Sequence, residues 1–153
     1  PVAPAPVAGA DLMSSALALA RMEAQISRQI DEYNKRPRKK FVGARASESR
    51  FAMYVEDWRR KVERVGNLNY PDNARGRVYG SLRVTVSIKP DGSIDEIQVD
   101  RPSDHKILNE AALKIVRLAA PYAPFPPEIR RDTDILVITR TWTFAPGDKL
   151  YNE

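Results

Sequence analysis

The sequence predicts an α+β fold: a small antiparallel three-stranded sheet in the order β-β-α-β, covered by a helix on one face and preceded by an N-terminal helical extension. Three observations lead to this prediction. Apolar and polar residues alternate over residues 82–88, and a Pro90-Asp91-Gly92 turn connects them to a second run, residues 94–99. An apolar helical segment follows at residues 107–120. A last strand at residues 134–144 completes the order.

The first ten residues are typical of the tail of a proline/alanine linker. Proline, alanine and valine make up the chain from Pro1 to Ala8, a composition that favours an extended, polyproline-like backbone. The chain begins without the charged-then-apolar pattern of a signal peptide, and no apolar run reaches the roughly 18 residues of a membrane span. We therefore expect a fragment whose anchoring segment lies upstream.

A first helix is predicted over residues 11–33, with Asp11 as its N-cap. One stripe of this helix repeats every seven residues, at Leu12, Leu19, Ile26 and Tyr33, with Ala16 and Ile30 between them. Such a stripe is typical of a short coiled coil. Because Glu23 interrupts it, a single amphipathic helix lying against a neighbour is the other interpretation.

Residues 35–40 carry five positive charges in six positions. One interpretation is a contact with an anionic partner, either a nucleic acid or a lipid surface. The other is a solvated hinge, since Pro37 does not continue a helix. Residues 34–47, like residues 1–10, should be mobile, because their proline and charge content leaves little apolar surface to bury.

A second helix is predicted over residues 48–65, because an apolar stripe recurs there at helical spacing. Gly66-Asn67 should end this helix, since both residues tolerate a left-handed conformation. The stripe consists of Phe51, Tyr54, Val55, Trp58, Val62 and Val65.

The predicted sheet has one buried face and one wet face, as antiparallel sheets allow. Gly92 supplies the positive φ that the hairpin turn needs. Ser103 or Asp104 should cap the next helix, which must cover the apolar face because two strands alone are not stable. Prolines between residues 121 and 127 exclude regular structure there. In the last strand Arg140 is the odd member of an otherwise apolar face formed by Leu136, Ile138, Trp142 and Phe144.

The positive charge is concentrated outside the predicted sheet domain. Residues 1–68 hold 13 Lys/Arg against 8 Asp/Glu, whereas residues 69–153 hold 12 of each. The folded part is therefore neutral. A nucleic-acid-binding domain would carry its basic excess on the fold itself, so we expect no nucleic acid partner.

The residues that carry enzymatic chemistry are missing from the sequence. The chain has no cysteine and one histidine, His105, at the start of a predicted helix. It has no nucleophile–base pattern, phosphate-binding glycine loop or metal-ligand spacing. Asp95 and Glu96 are successive strand residues, so their carboxylates point to opposite faces. We expect neither an enzyme nor a cofactor or metal site.

In the order and spacing of its motifs, the segment from Tyr70 to Phe144 resembles the C-terminal domain of the TonB energy-transducer family. The residues of these motifs are most similar to those of the pseudomonad type. The resemblance extends loosely upstream to residues 58–64. The matching motifs are Tyr70-Pro71, Gly80-Ser81-Leu82, Pro90-Asp91-Gly92, Ser103-Asp104-His105, Leu108-Asn109-Glu110-Ala111-Ala112, Ala120-Pro121-Tyr122-Ala123-Pro124-Phe125-Pro126 and Thr141-Trp142-Thr143-Phe144.

The resemblance implies a periplasmic protein, anchored in the inner membrane by an N-terminal helix that this sequence lacks. Such proteins couple the proton-driven ExbB–ExbD motor to outer-membrane receptors for siderophores, haem or cobalamin. In the family the domain binds a short receptor segment, the TonB box, as an extra strand beside the last strand of the sheet. Residues before the Tyr-Pro pair also touch the receptor.

Carried over by position, the resemblance implies a receptor site on the last strand and on the residues ahead of Pro71. The last strand arrives after a helix and a proline loop, so it should join the hairpin at an outer position and leave one edge unpaired. The expected site residues are Asn67, Asn69, Tyr70, Asp134, Ile135, Leu136, Val137, Ile138, Thr139, Arg140 and Thr141.

Two other function classes remain open at this point. The same free edge would let the domain self-associate as a homodimer, and the basic run would bind an anionic partner. We divide the chain into a linker tail (1–10), a helix with a basic hinge (11–47), a helix leading into the domain (48–68) and the sheet domain (69–153).

Overall fold

The computed structural model describes residues 8–43 and 48–153. It divides into two units, one ending at Arg36 and one from Pro37 to Glu153. Residues 1–7 of the expected linker (1–10) and residues 44–47 of the expected hinge lie outside the described residues. The expectation of an extended linker is wrong for Gly9 and Ala10, which belong to a helix. The four-part division of the chain stays a prediction.

The described part of the first unit is one long helix, α1 (Gly9–Asn34). It begins two residues earlier than predicted, with Ala8 rather than Asp11 as the N-cap. Asp11 lies inside the first turn, where its negative charge is favourable to the helix dipole. None of the α1 residues is buried, so both interpretations of its apolar stripe remain predictions.

The second unit is a five-stranded sheet with helices. Its strands are β1 (Lys39–Val42), β2 (Gly80–Ile88), β3 (Ile94–Arg101), β4 (Ile135–Ala145) and β5 (Lys149–Asn152), in the order β1-β4-β2-β3 with β5 also on β4. Its helices are α2 (Ser49–Leu68), α3 (Lys106–Ala119) and the short α4 (Pro127–Arg130). The predicted α+β class and β-β-α-β order are confirmed. The prediction of three strands is wrong, because the two ends of this unit add one short strand each.

The hydrophobic core lies between the sheet and helices α2 and α3. Trp142 and Phe144 of β4 are buried in it. The apolar residues of β2 that were predicted to face inward are all buried as well: Leu82, Val84, Val86 and Ile88. Helix α2 contributes its predicted stripe except Val65, which is only partly buried. The aromatic rings meet edge to face, with Tyr70 and Phe144 centroids 5.5 Å apart. The core therefore packs against β4 from its helix-covered face.

The hairpin turn and the proline loop hold each other in place. Gly92 has φ +88°, and its N–H donates to the carbonyl of Lys89 at 2.9 Å. The N–H of Tyr122 donates to the Gly92 carbonyl at 2.8 Å, and a Cβ built on Gly92 would lie 1.9 Å from the Tyr122 carbonyl oxygen. Glycine is required here both for its backbone conformation and for this close approach.

The predicted end of α2 is wrong. The helix continues through Gly66 to Leu68, with Asn69 as the C-cap. Gly66 serves a packing role instead, because a Cβ there would lie 2.3 Å from the Leu150 Cδ2 atom of β5. The predicted cap of α3 is also displaced: the N-cap is His105, and Ser103 Oγ, two residues earlier, accepts the His105 N–H at 3.2 Å.

The prediction that residues 34–47 form a mobile hinge is wrong for residues 39–42, which form β1. Lys40 and Val42 face the same side as the core, and Val42 is buried. An aromatic and a β-branched residue at Phe41 and Val42 favour a strand. The neighbouring edge of β4 supplies the backbone partners, so local charge does not prevent pairing.

Candidate functional site

The candidate site is the edge of β4 that faces away from β2. The inner edge of β4 is paired with β2 from Leu136 opposite Ile88 to Phe144 opposite Gly80. On the outer edge β1 runs parallel to residues 135–138, and β5 runs antiparallel to residues 142–145. The expectation of an unpaired outer edge is therefore wrong for residues 135–138 and 142–145, where two four-residue strands from the same chain pair with it.

A polar clasp holds the beginning of β1 on β4. The Arg38 guanidinium donates to both Asp134 carboxylate oxygens, from Nε at 3.0 Å and from Nη2 at 3.1 Å, and its Nη1 donates to the carbonyl of Arg131. The backbone N–H of Arg38 also donates to Asp134, at 2.7 Å. These donors hold the pKa of the Asp134 carboxyl below its usual range. One member of the basic run is thus engaged within the fold.

The side chains of β1 face two environments. Val42 is 4% exposed and belongs to the core cluster, opposite Ile138 in the register. Phe41, the preceding residue, is 75% exposed. Beyond the clasp, β1 is therefore held by its ladder hydrogen bonds and by one well-buried side chain.

Asn67 holds β5 against α2. Its side-chain carbonyl accepts the Leu150 N–H at 2.9 Å, and its amide nitrogen donates to the carbonyl of Glu63 at 2.8 Å and, more weakly, to that of Leu150 at 3.4 Å. The Asn152 N–H donates to the Glu63 carboxylate at 2.8 Å. Glu153 extends the pairing by exchanging two backbone hydrogen bonds with Thr141.

The structure separates the residues that were predicted as one receptor site. Asn67 contacts β5, which itself covers β4. Asn69 is exposed, and its amide donates to the carbonyl of Val65 one turn back. Tyr70 is 2% exposed, and burial raises the pKa of its hydroxyl. In this conformation Tyr70 is a core residue under Phe144 rather than a surface contact.

The face of β4 away from the helices carries a threonine ladder. Thr139 Oγ1 lies 2.8 Å from Thr85 Oγ1, which also donates to Asp100, and Thr143 Oγ1 lies 3.0 Å from Ser81 Oγ. These hydroxyls form hydrogen bonds with β2 side chains, so the outward N–H and C=O groups of β4 stay available to strands that pair with its outer edge. Ile135 and Val137, on the same face, are each 7% exposed.

Arg140 points to the helix side, into an open cavity of about 460 Å³. The cavity is lined by Glu56, Arg59, Glu63, Arg140, Tyr151, Asn152 and Glu153. Desolvation and the Arg59 charge lower the pKa of Arg140, whereas Glu56 raises it. Along the outer edge of β4, β1 ends opposite Ile138 and the pairing with Glu153 begins at Thr141. Residues 139 and 140, between these two points, lie opposite neither β1 nor β5 in the register.

The opposite edge of the sheet, on β3, has a different character. Among the described residues β3 pairs with β2 alone. Its exposed positions are mostly charged: Asp95, Glu96, Gln98, Asp100 and Arg101. Charged side chains along a strand protect an open edge from added strands. The outer edge of β4 is thus the better template for a partner strand, although it is already occupied.

The strands that complete this site were missed by the sequence analysis. Sequence signals for them do exist. Phe41-Val42 is a short β-favouring pair after a proline, and Tyr151 is a β-favouring residue shortly after Pro146-Gly147. Both strands are only four residues long, which is the lower limit of the length at which alternation indicates a strand.

Comparison with known proteins identifies the domain that carries this edge. The model of the family described as Gram-negative bacterial TonB protein C-terminal matches residues 66–146. The chain belongs to the TonB C-terminal family. A solved structure that it resembles is the NMR solution structure of Helicobacter pylori TonB-CTD, at 27% identity, with 67% of this chain and 98% of that chain covered and a TM-score of 0.41. No curated protein sequence matches the chain significantly.

Membership of the TonB family gives a coarse account of what the domain does. TonB C-terminal domains are periplasmic and act in transport by interacting with outer-membrane receptors, without catalysing a reaction. Within residues 8–43 and 48–153, no helix is both long and apolar enough to cross a membrane. The same residues contain no group of three or more His, Cys, Asp or Glu side chains placed to hold a metal ion.

Proposed function

We propose that this chain is the periplasmic part of an energy transducer that binds the TonB box of outer-membrane receptors by strand addition at the outer edge of β4. Upstream segments would anchor it in the inner membrane and connect it to the ExbB–ExbD proton-driven motor. The cargo would be the siderophores, haem or cobalamin that such receptors import.

The observation that carries this proposal is the parallel pairing of β1 with residues 135–138. It indicates that this edge accepts an extended segment in regular register, with main-chain hydrogen bonds and one side chain entering the core. Strand addition takes most of its affinity from main-chain bonds, so it tolerates different receptor sequences. Each bond contributes only about 0.5–1.5 kcal/mol net, yet several bonds loaded together resist a pull.

The proposed contact residues follow from this edge. Residues 134–141 would pair with the receptor segment through their backbone. Asn67, which holds β5, and Asn69, which is exposed, would lie at the end of α2 near the same strand system. We expect Tyr70 to support Phe144 from the core rather than to touch the receptor.

The proposal is tested by disulfide trapping, since the chain has no cysteine of its own. Thr139 and Gln98 both pair with Thr85, so they share one row of the sheet and lie on strands at opposite sides of β2. Full-length Thr139→Cys should form a disulfide with a cysteine-containing TonB-box peptide, and Gln98→Cys should not. Trapping at Gln98→Cys alone would place the receptor segment on β3 and contradict the proposal.

A further inference from the structure

The outer edge of β4 is already occupied in the protein by β1. We propose that β1 is a removable resident strand: the receptor segment binds by replacing β1 beside residues 135–138, and β1 therefore sets the affinity of the site. This inference rests on the proposed function for the identity of the partner, but its structural part concerns this chain alone.

The first argument is that β1 is held weakly relative to the rest of the sheet. It has four residues, against eleven in β4 and nine in β2. Val42 is the single buried side chain of Lys39–Val42, and the ion pair just before the strand, Arg38 with Asp134, joins side chains that are 54% and 41% exposed. Segments with few buried contacts and exposed hydrogen bonds open at low free energy. β1 is the segment of the second unit that best fits this description at the β4 edge.

The second argument is that β1 leaves part of the edge unused. Its register ends at Val42 opposite Ile138, and the next backbone partner on this edge is Glu153, opposite Thr141. A continuous peptide that starts beside Ile135 and runs as far as Arg140 would make ladder contacts at residues 139 and 140 that β1 does not make. A longer partner can therefore outcompete a tethered strand that has the advantage of proximity.

The third argument concerns the chemistry of the partner. Because β1 is parallel to β4, its replacement at the same register would also run parallel to β4. The position of Val42 lies against Ile138 and within the core cluster, so the partner should present a small aliphatic residue there. The position of Phe41 is exposed and imposes little selection.

Displacement makes a quantitative prediction, because a site that is free for only a fraction of the time shows an apparent Kd raised by the inverse of that fraction. Weakening β1 should therefore tighten binding of a receptor peptide. Val42→Ser removes the buried contact of β1 without changing β4. Phe41→Ser makes the same type of change on the exposed side of the same strand and serves as the matched control.

The experiment measures the Kd of a synthetic TonB-box peptide for the full chain by NMR titration. Val42→Ser should lower the Kd by about tenfold, whereas Phe41→Ser should change it by less than about twofold. Equal Kd values for Val42→Ser and the unchanged protein would overturn the proposal. If Val42→Ser does not fold, Arg38→Gln releases the clasp outside the core, with Lys35→Gln as its control and the same two outcomes.

A second probe separates this inference from the proposed function. A synthetic peptide of residues 36–43, added in trans, should bind Val42→Ser and shift the amide signals of residues 135–138. That result supports a removable β1 whether or not the TonB-box peptide binds. If the TonB-box peptide binds no variant while the residue 36–43 peptide does bind, the proposed receptor site is wrong and the removable β1 stands. If the residue 36–43 peptide leaves those signals unchanged, the edge does not accept a replacement strand and the inference is wrong.

Discussion

Asn67 offers a direct test of how the C-terminal strand is held, and Asn69 provides a matched control two residues away. Asn67→Ala removes the acceptor of the Leu150 N–H, at 2.9 Å, and the donor to the carbonyl of Glu63, at 2.8 Å. Asn69→Ala removes only the donor to the carbonyl of Val65 on the exposed end of α2. Both changes delete the same amide group, so the difference between the two variants in free energy of unfolding reports on how strongly Asn67 holds β5.

The expected magnitude follows from the hydrogen bonds lost. A typical intramolecular hydrogen bond contributes about 0.5–1.5 kcal/mol net, and the contact to the Leu150 carbonyl at 3.4 Å should add little. Asn67→Ala should therefore lower the free energy of unfolding by about 1–2 kcal/mol. Asn69→Ala should lower it by less than about 0.5 kcal/mol, as expected for a surface substitution.

Urea denaturation of the two variants and the unchanged chain provides the assay, with the slope m checked for constancy. Amide exchange supplies a local readout: Leu150 and Asn152 should exchange faster in Asn67→Ala and at the original rate in Asn69→Ala. Equal losses of stability in the two variants, with unchanged exchange in β5, would refute the assignment of Asn67 as the residue that holds this strand.

Three further predictions follow from the core, the hairpin turn and an ion pair. Trp142→Ala should lower the free energy of unfolding by about 3–5 kcal/mol, since the side chain is fully buried, and a variant that keeps its melting temperature would place Trp142 outside the core. Gly92→Ala should destabilise the fold through its φ of +88° and the clash with Tyr122, measured as a lower Tm than that of Gly76→Ala, whose site has a similar φ but open space. Arg50 holds the pKa of Asp132 at about 2, below the unfolded value of about 3.9, so the stabilisation is present above about pH 4 and is lost as the pH falls toward 2. The Tm of the unchanged protein should therefore fall between about pH 4 and pH 2, and Asp132→Asn should make that fall smaller. If Asp132→Asn and the unchanged protein show the same dependence of Tm on pH, the ion pair does not contribute to stability.

The sequence was sufficient to predict the central fold because periodicity and turn chemistry agree there. Alternation over β2 and the Pro90-Asp91-Gly92 turn specify the hairpin, and the apolar face of α3 is wide enough to require a sheet beneath it. Trp142 was predicted to be a core residue from its register with Ile138, and it is buried. These signals act over short distances along the chain.

The completion of the candidate site depends on contacts between distant residues, which periodicity does not report. Arg38 and Asp134 are 96 positions apart, and only the fold shows that one basic residue of residues 35–40 pairs with β4. Gly66 is similar: its local preference suggests a helix end, but it lies inside α2, where a Cβ would meet the Leu150 side chain. In both cases tertiary contacts outweigh local preference.

The central claim is that a receptor segment binds at the outer edge of β4, and an NMR titration of the full chain with a TonB-box peptide tests it most directly. The account predicts that the largest amide shift changes fall on residues 135–141 of β4 and on residues 39–42 as β1 is replaced, with residues 94–101 of β3 little affected. Shift changes concentrated on β3, or saturating binding that leaves residues 135–141 unchanged, would contradict it.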